Sequence, residues 1–153
     1  MKKFQYKMES VLQIKLKLED QAKSNYGTAR MRLNQEEEKL EQMVHKKTDY
    51  EDELRKFRMN RLNLLDIKMS EQAVDIMKTK IKQQAIVVRN SEHRLEVARI
   101  RLNDAMIDRK TQERLKEKAF EDYLLEFDSE ERKEVDELNS FNYNKPTFQE
   151  EDE

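Results

Sequence analysis

Apolar residues recur along this chain at alternating intervals of four and three, and few sequence features narrow the possible folds so sharply. From Ala22 the series runs through Tyr26, Ala29, Leu33, Glu36, Leu40, Met43, Lys47, Tyr50, Leu54, Phe57, Arg61 and Leu64, with ten of thirteen positions apolar. A second series, Ile67, Ser70, Val74, Met77, Ile81, Gln84, Val88, Ser91, Leu95, Ala98, Leu102 and Ala105, is apolar at nine of twelve. A narrow stripe of this period between Lys, Arg and Glu marks a coiled-coil seam, because it keeps one thin face of a helix turned toward a partner helix. High charge alone would also suit a disordered chain, and the order of the apolar residues decides for helix. Charged residues make up 42% of the chain and hydrophobic ones 36%, too little apolar material for a thick core. One Gly and one Pro leave almost no turn vocabulary, so sheets with hairpins and compact many-looped folds are excluded.

The two series do not share a frame. Positions 57, 61 and 64 set the first and 67, 70 and 74 the second, one residue out of step. Such a slip rotates the stripe by about 100°, far more than the stutters that continuous coiled coils tolerate. A break is therefore expected among Asn60, Asn63 and Asp66, residue types that bond local backbone and start turns or cap helices. Charge supports a fold-back. Residues 1–120 carry 28 Lys or Arg against 20 Asp or Glu, net +8, and residues 121–153 carry 3 against 13, net −10. A hairpin lays the basic amino end (Lys2, Lys3, Lys7, Lys15, Lys17) beside the acidic stretch from Glu121 to Glu137, whereas a parallel homodimer would set acid against acid. The expected fold is all-α: two long helices forming an antiparallel coiled-coil hairpin over residues 1–138, with its turn near 60–66. Arms of about 55–70 residues would be about 85–100 Å long. Residues 139–153 lose the heptad and end in Glu150, Glu151, Asp152 and Glu153, which predicts a disordered acidic tail in which Phe141, Tyr143 and Phe148 are candidate anchors.

The same residues exclude most chemistry. A phosphate cradle needs several glycines, and Gly27 is alone; beside Ala22 and Ala29 it is expected to permit close helix approach or a bend. His45 and His93 have no second His or Cys one turn away to share a metal, and no cofactor is expected. Glu36, Glu37 and Glu38 read as a solvated helix face and not as an acid–base site. Basic residues such as Arg89, Arg99, Arg109 and Lys116 alternate with acids as coiled-coil flanks, unlike a nucleic-acid track. Most of the methionines and tyrosines, Met43, Tyr50 and Met77 among them, are expected in the seam. No apolar run is long enough for a membrane span or a signal peptide, so a soluble, cytoplasmic, non-enzymatic chain is expected, and without Cys there is no thiol chemistry.

The opening Phe4-Gln-Tyr6-Lys-Met8-Glu-Ser-Val11-Leu12-Gln-Ile14-Lys15, with Leu18, Glu19 and Ala22, resembles the amino-terminal signature of the flagellar FliJ family, the small coiled-coil component of the type III export apparatus. Asp66-Ile67 leading to Met77, Ile81 and Gln84 resembles the family's second helix, and Arg109-Lys110 through Glu117 with Glu134 to Leu138 resembles its charged carboxy-terminal stretch. The resemblance spans almost the whole chain. It implies an export accessory protein and general chaperone whose paired ends associate with a hexameric flagellar export ATPase, as a stalk sits in a rotary ring. The other half would touch an export gate protein at the cytoplasmic face of the inner membrane, and export chaperones are further implied partners. For the ATPase end it points to Phe4, Tyr6, Met8, Val11 and Leu12 with Tyr123, Leu124 and Phe127. For the gate it points to Met43, Tyr50, Ala73, Met77 and Gln84, with Lys46 and Ala73 standing where the pattern suggests aromatics. The alternatives are a generic coiled-coil scaffold, or the equivalent stalk of a virulence secretion system or rotary ATPase.

Overall fold

The computed structural model of the chain describes residues 3–59 and 63–145. Nearly all of them lie in two helices, α1 (Glu9–Met59) and α2 (Leu64–Tyr143), and no strand occurs among the described residues. Asn60, Arg61, Pro146, Phe148 and the acidic end from Glu150 to Glu153 lie outside them.

Local chemistry sets the helix ends. Asn63 caps α2: its side-chain oxygen accepts from the Leu65 N–H at 3.2 Å and its carbonyl from the Ile67 N–H at 3.2 Å. That satisfies backbone donors that an uncapped first turn leaves open. Asp66 in the first turn of α2 and Lys56 and Arg58 in the last turn of α1 match the helix dipoles. At the other end the sequence places the limit of the helical stretch at Leu138, but α2 continues through Asn139, Ser140 and Phe141 to Tyr143. Those residues have lower helix propensity without forbidding a helix, whereas Pro146 is the first residue that does so outright.

The described chain forms two compact units, each an antiparallel pairing of the same two helices. One joins residues up to Leu16 with those from Ile107 onward; the other is Lys17–Met106. In the second unit Arg58 Nη2 lies 3.0 Å from Glu71 Oε1, and Gln84 meets Glu36. In the first, Lys15 Nζ lies 3.4 Å from Asp108, Glu9 lies 2.8 Å from Lys116 Nζ, and the Tyr6 hydroxyl donates to Gln112 at 3.3 Å. Numbers rise along α1 as they fall along α2, so the expected all-α antiparallel coiled-coil hairpin is the fold.

Every member of the first apolar series from Ala22 to Leu54, and of the second from Ile67 to Ala105, is buried or half-buried. The core is thin: Leu12, Leu33, Val74, Met77 and Val88 are its buried apolar residues. Glu36 departs from the expected solvated face, since its side chain turns into the seam while Glu37 and Glu38 stay exposed. The methionines divide, too. Met43, Met77 and Met106 face the partner helix, but Met8, Met31, Met59 and Met69 are exposed, because the stripe is only one residue wide per turn.

Gly27 does not serve close helix approach. It is exposed, its φ is not positive, and a Cβ built there would meet nothing within 4 Å. Glycine in mid-helix then only adds unfolded-state entropy, so Gly27→Ala should stabilise the protein by about 0.5–1 kcal/mol. A melting temperature about 2–4 °C higher by circular dichroism is the expected result, and an unchanged or lower one would show that the glycine has a backbone role.

Candidate partner-binding surfaces

Before α1 begins, residues 3–8 run along α2, held by a turn in which the Glu9 N–H donates to the Tyr6 carbonyl at 3.2 Å. This places the Phe4 ring edge-on to Phe120, centroids 5.1 Å apart, and 5.3 Å from Tyr123. Phe120 and Tyr123 stack at 6.2 Å, and Tyr123 reaches Phe127 at 6.3 Å. Four rings at offset or edge-on geometry form a cluster worth more than its buried area alone. Leu12 packs behind it, 5% exposed, in a groove shared with Phe4, Lys116 and Phe120.

The structure thus brings Phe4, Leu12, Tyr123 and Phe127 into one unit, with Tyr6 tied to Gln112 and Val11 half-buried. Only Met8, at 48%, and Leu124, at 44%, are substantially exposed among the residues expected at this end. Phe120 belongs to the cluster and was not among them. Its spacing to Tyr123 and Phe127, three and then four residues, is the readable signal, obscured by the charged residues between. Beneath the rings the seam itself is polar. Arg109, Gln112, Glu113 and Lys116 are half-buried, and Arg109 Nη1 pairs with Glu113 at 2.8 Å. Arg109 and Lys116 are therefore seam residues and not the flanking charges their neighbours suggest. Across the helices of this unit Lys15 pairs with Asp108 and Lys116 with Glu9, while Lys3 and Lys7 line a groove with Asp122, Glu126 and Glu130.

In the other unit, Met43, Tyr50 and Ala73 are half-buried and Met77 and Gln84 buried, all facing the partner helix. Gln84 is already engaged: its amide donates to the Glu36 carbonyl at 3.0 Å and to the Glu36 carboxylate at 2.6 Å. The hydrogen bond from the Gln84 amide holds the Glu36 carboxyl below its ordinary value against the opposing effect of desolvation, with help from Lys39 and Arg32. Glu36 and Gln84, one polar interruption from each apolar series, are each other's partners. Glu19, also buried, is met by Lys23 at 3.4 Å. Exposed apolar side chains gather instead beside the turn, at Met59, Leu64, Leu65 and Met69.

Both described histidines are exposed, and His45 lies 3.9 Å from Glu41 one turn away. Among the described residues no group of three His, Cys, Asp or Glu is placed to hold a metal, and no helix is long and apolar enough to cross a membrane. What these surfaces offer is apolar contact edged with charge, which suits recognition of other proteins.

A comparison with curated proteins finds no match, and one with solved structures finds none either. The family model for the flagellar FliJ protein matches residues 4–147, from the first ring of the aromatic cluster past the end of α2. With a match of that extent on an antiparallel two-helix fold, the chain belongs to the flagellar FliJ family, coiled-coil components of the flagellar export apparatus.

Proposed function

We propose that this chain acts as a stalk-like regulator of flagellar export, with the unit that holds its two ends engaging a hexameric export ATPase and the unit that holds its turn engaging the export gate. The observation that carries this reading is the aromatic cluster of Phe4, Phe120, Tyr123 and Phe127, which fixes an amino-terminal segment on α2 and leaves Met8 and Leu124 exposed beside it. An end built from two unlike segments has no sixfold symmetry. Inside a sixfold ring it contacts each subunit differently and biases which one closes, a coupling between sites that need not touch the nucleotide. For the gate, Met59, Leu64, Leu65 and Met69 offer accessible apolar area, whereas Met43, Tyr50, Ala73, Met77 and Gln84 are reached only at the edge of the seam. Export chaperones are further partners of the same apparatus, and the chain works at the cytoplasmic face of the inner membrane without inserting.

The test uses exposed residues, since Leu12→Asp would disrupt the seam. Met8→Asp with Leu124→Asp should abolish stimulation of the cognate export ATPase in a phosphate-release assay while the far-ultraviolet spectrum and melting temperature stay close to those of the parent. Undiminished stimulation would sink the assignment of this end.

A further inference from the structure

Beyond the aromatic cluster α2 runs on without cover. From Asp128 to Lys145 every residue is exposed. Residues 128–134 hold no apolar side chain, but Val135, Leu138 and Phe141 then resume the face that Phe120, Leu124 and Phe127 begin, and they are 54%, 62% and 64% exposed. At about 100° per residue these positions span about 120° of the helix surface. Lys145 lies 5.7 Å from the Phe141 ring centroid and covers part of its end. Glu130 and Glu137 line one edge, Asp128 stands on the other, and Glu131 and Glu134 sit within the stripe. Over residues 121–143 there are nine acidic side chains against Arg132 and Lys133.

The geometry points to a docking surface on α2, residues 130–141, for a partner helix with an apolar stripe and Lys or Arg at its edges, which completes a coiled coil where α1 no longer accompanies α2. Charge selects that occupant. A second copy of this chain would bring an acidic segment against an acidic one, and like charges at flanking positions oppose pairing. A basic amphipathic helix gains both the stripe and the glutamate edge. A ridge of side chains spaced like a seam, with no seam partner, is recognised as helix-in-groove contacts are, through anchors three and four residues apart. This surface is separate from Met8 and the ring cluster, so its test and that of the ATPase contact stand or fall apart.

Two labelled synthetic peptides of about three heptads serve as probes, both with Leu in the seam positions, one flanked by Lys and the other by Glu. In fluorescence anisotropy with the full chain, the Lys-flanked peptide should bind, and more weakly as salt rises, while the Glu-flanked peptide should not. Val135→Asp with Leu138→Asp should weaken binding by about tenfold or more, and Glu134→Lys with Glu137→Lys should weaken it too. None of the four side chains packs against α1, so the parent melting temperature should be kept. Binding of the Lys-flanked peptide that survives Val135→Asp and Leu138→Asp would reduce the surface to diffuse charge and overturn the proposal. So would equal binding of both peptides, no binding at all, or a sedimentation result in which the chain pairs with itself through this segment and Leu138→Asp abolishes the pairing.

Discussion

Leu33→Asp should lower the melting temperature by about 10–15 °C, while Met31→Asp, two residues away on the same helix, should leave it nearly unchanged. Leu33 is 5% exposed and Met31 is 63% exposed. Removing Leu33 forfeits about 2–3 kcal/mol of apolar burial. The carboxylate that replaces it faces the opposite helix with no cation assigned to it, so the combined loss is about 3–5 kcal/mol. In a globular core neighbouring side chains share such a loss. Here the seam has one residue of α1 per layer, and Val74, Met77 and Val88 are the other buried apolar residues of that unit. Thermal denaturation of the two variants checks this, and similar losses for both would show that the helix faces are wrongly assigned.

The second large effect concerns Gln84 and Glu36. Gln84→Leu removes the donor that approaches the Glu36 carboxylate at 2.6 Å and its carbonyl at 3.0 Å, leaving a partly buried acid with only its neighbours Lys39 and Arg32. A marked loss of stability follows at neutral pH, because an abandoned polar group costs more than the bond itself contributes. Glu36→Leu with Gln84→Leu should regain the loss and exceed the parent, since a polar pair exchanged for packed apolar side chains is often neutral or better. The sign with pH is fixed by the direction of the Glu36 shift. A carboxyl held lower in the folded than in the unfolded state contributes stability above its unfolded value, and that stability disappears as pH falls through the folded one. The parent should therefore lose stability on acidification through and below the ordinary carboxylate range, and the double variant should lose less. Melting curves across that range decide it. A double variant as acid-sensitive as the parent would mean that the pair is not the source.

What the polar pair adds is register. A thin apolar stripe matches itself nearly as well one heptad along, but Glu36 can find an amide only where Gln84 stands. That role explains why part of the molecule was legible in the sequence and part was not. Apolar spacing located the seam from Ala22 to Leu54 and from Ile67 to Ala105, because burial on a helix face follows period alone. The frame slip and the asparagines located the break, and Asn63 caps α2 there. Polar members of the seam were not legible as such. Glu36, Gln84, Arg109 and Lys116 occupy positions of the right period with the wrong chemistry, and only the residue across the seam reveals whether each is an interruption or half of a pair. The burial of residues expected at the gate was illegible for the complementary reason: Met77 and Gln84 have the composition of a contact surface, and only the fold shows that their helix turns them inward. At the aromatic end Phe4, Tyr123 and Phe127 could be brought together by antiparallel pairing, whereas Phe120 was hidden among Lys and Glu.

Separations along the chain carry a last consequence, for the order in which the pairing forms. Arg58 and Glu71 lie 13 residues apart, Gln84 and Glu36 48, Lys15 and Asp108 93, and Tyr6 and Gln112 106. Closing the longest of these loops directly from a flexible chain costs about 2 kcal/mol more than closing the shortest. If contacts form outward from Asn63, each new one closes only a small additional loop, so the low-cost route is a zipper that starts at the capped turn and ends at Phe4. Run backwards, the same zipper opens first where Phe4 leaves Phe120 and Tyr123. The aromatic end is then the last part of the molecule to close and the first to fray, and a protein that grips it stabilises the step with which folding finishes.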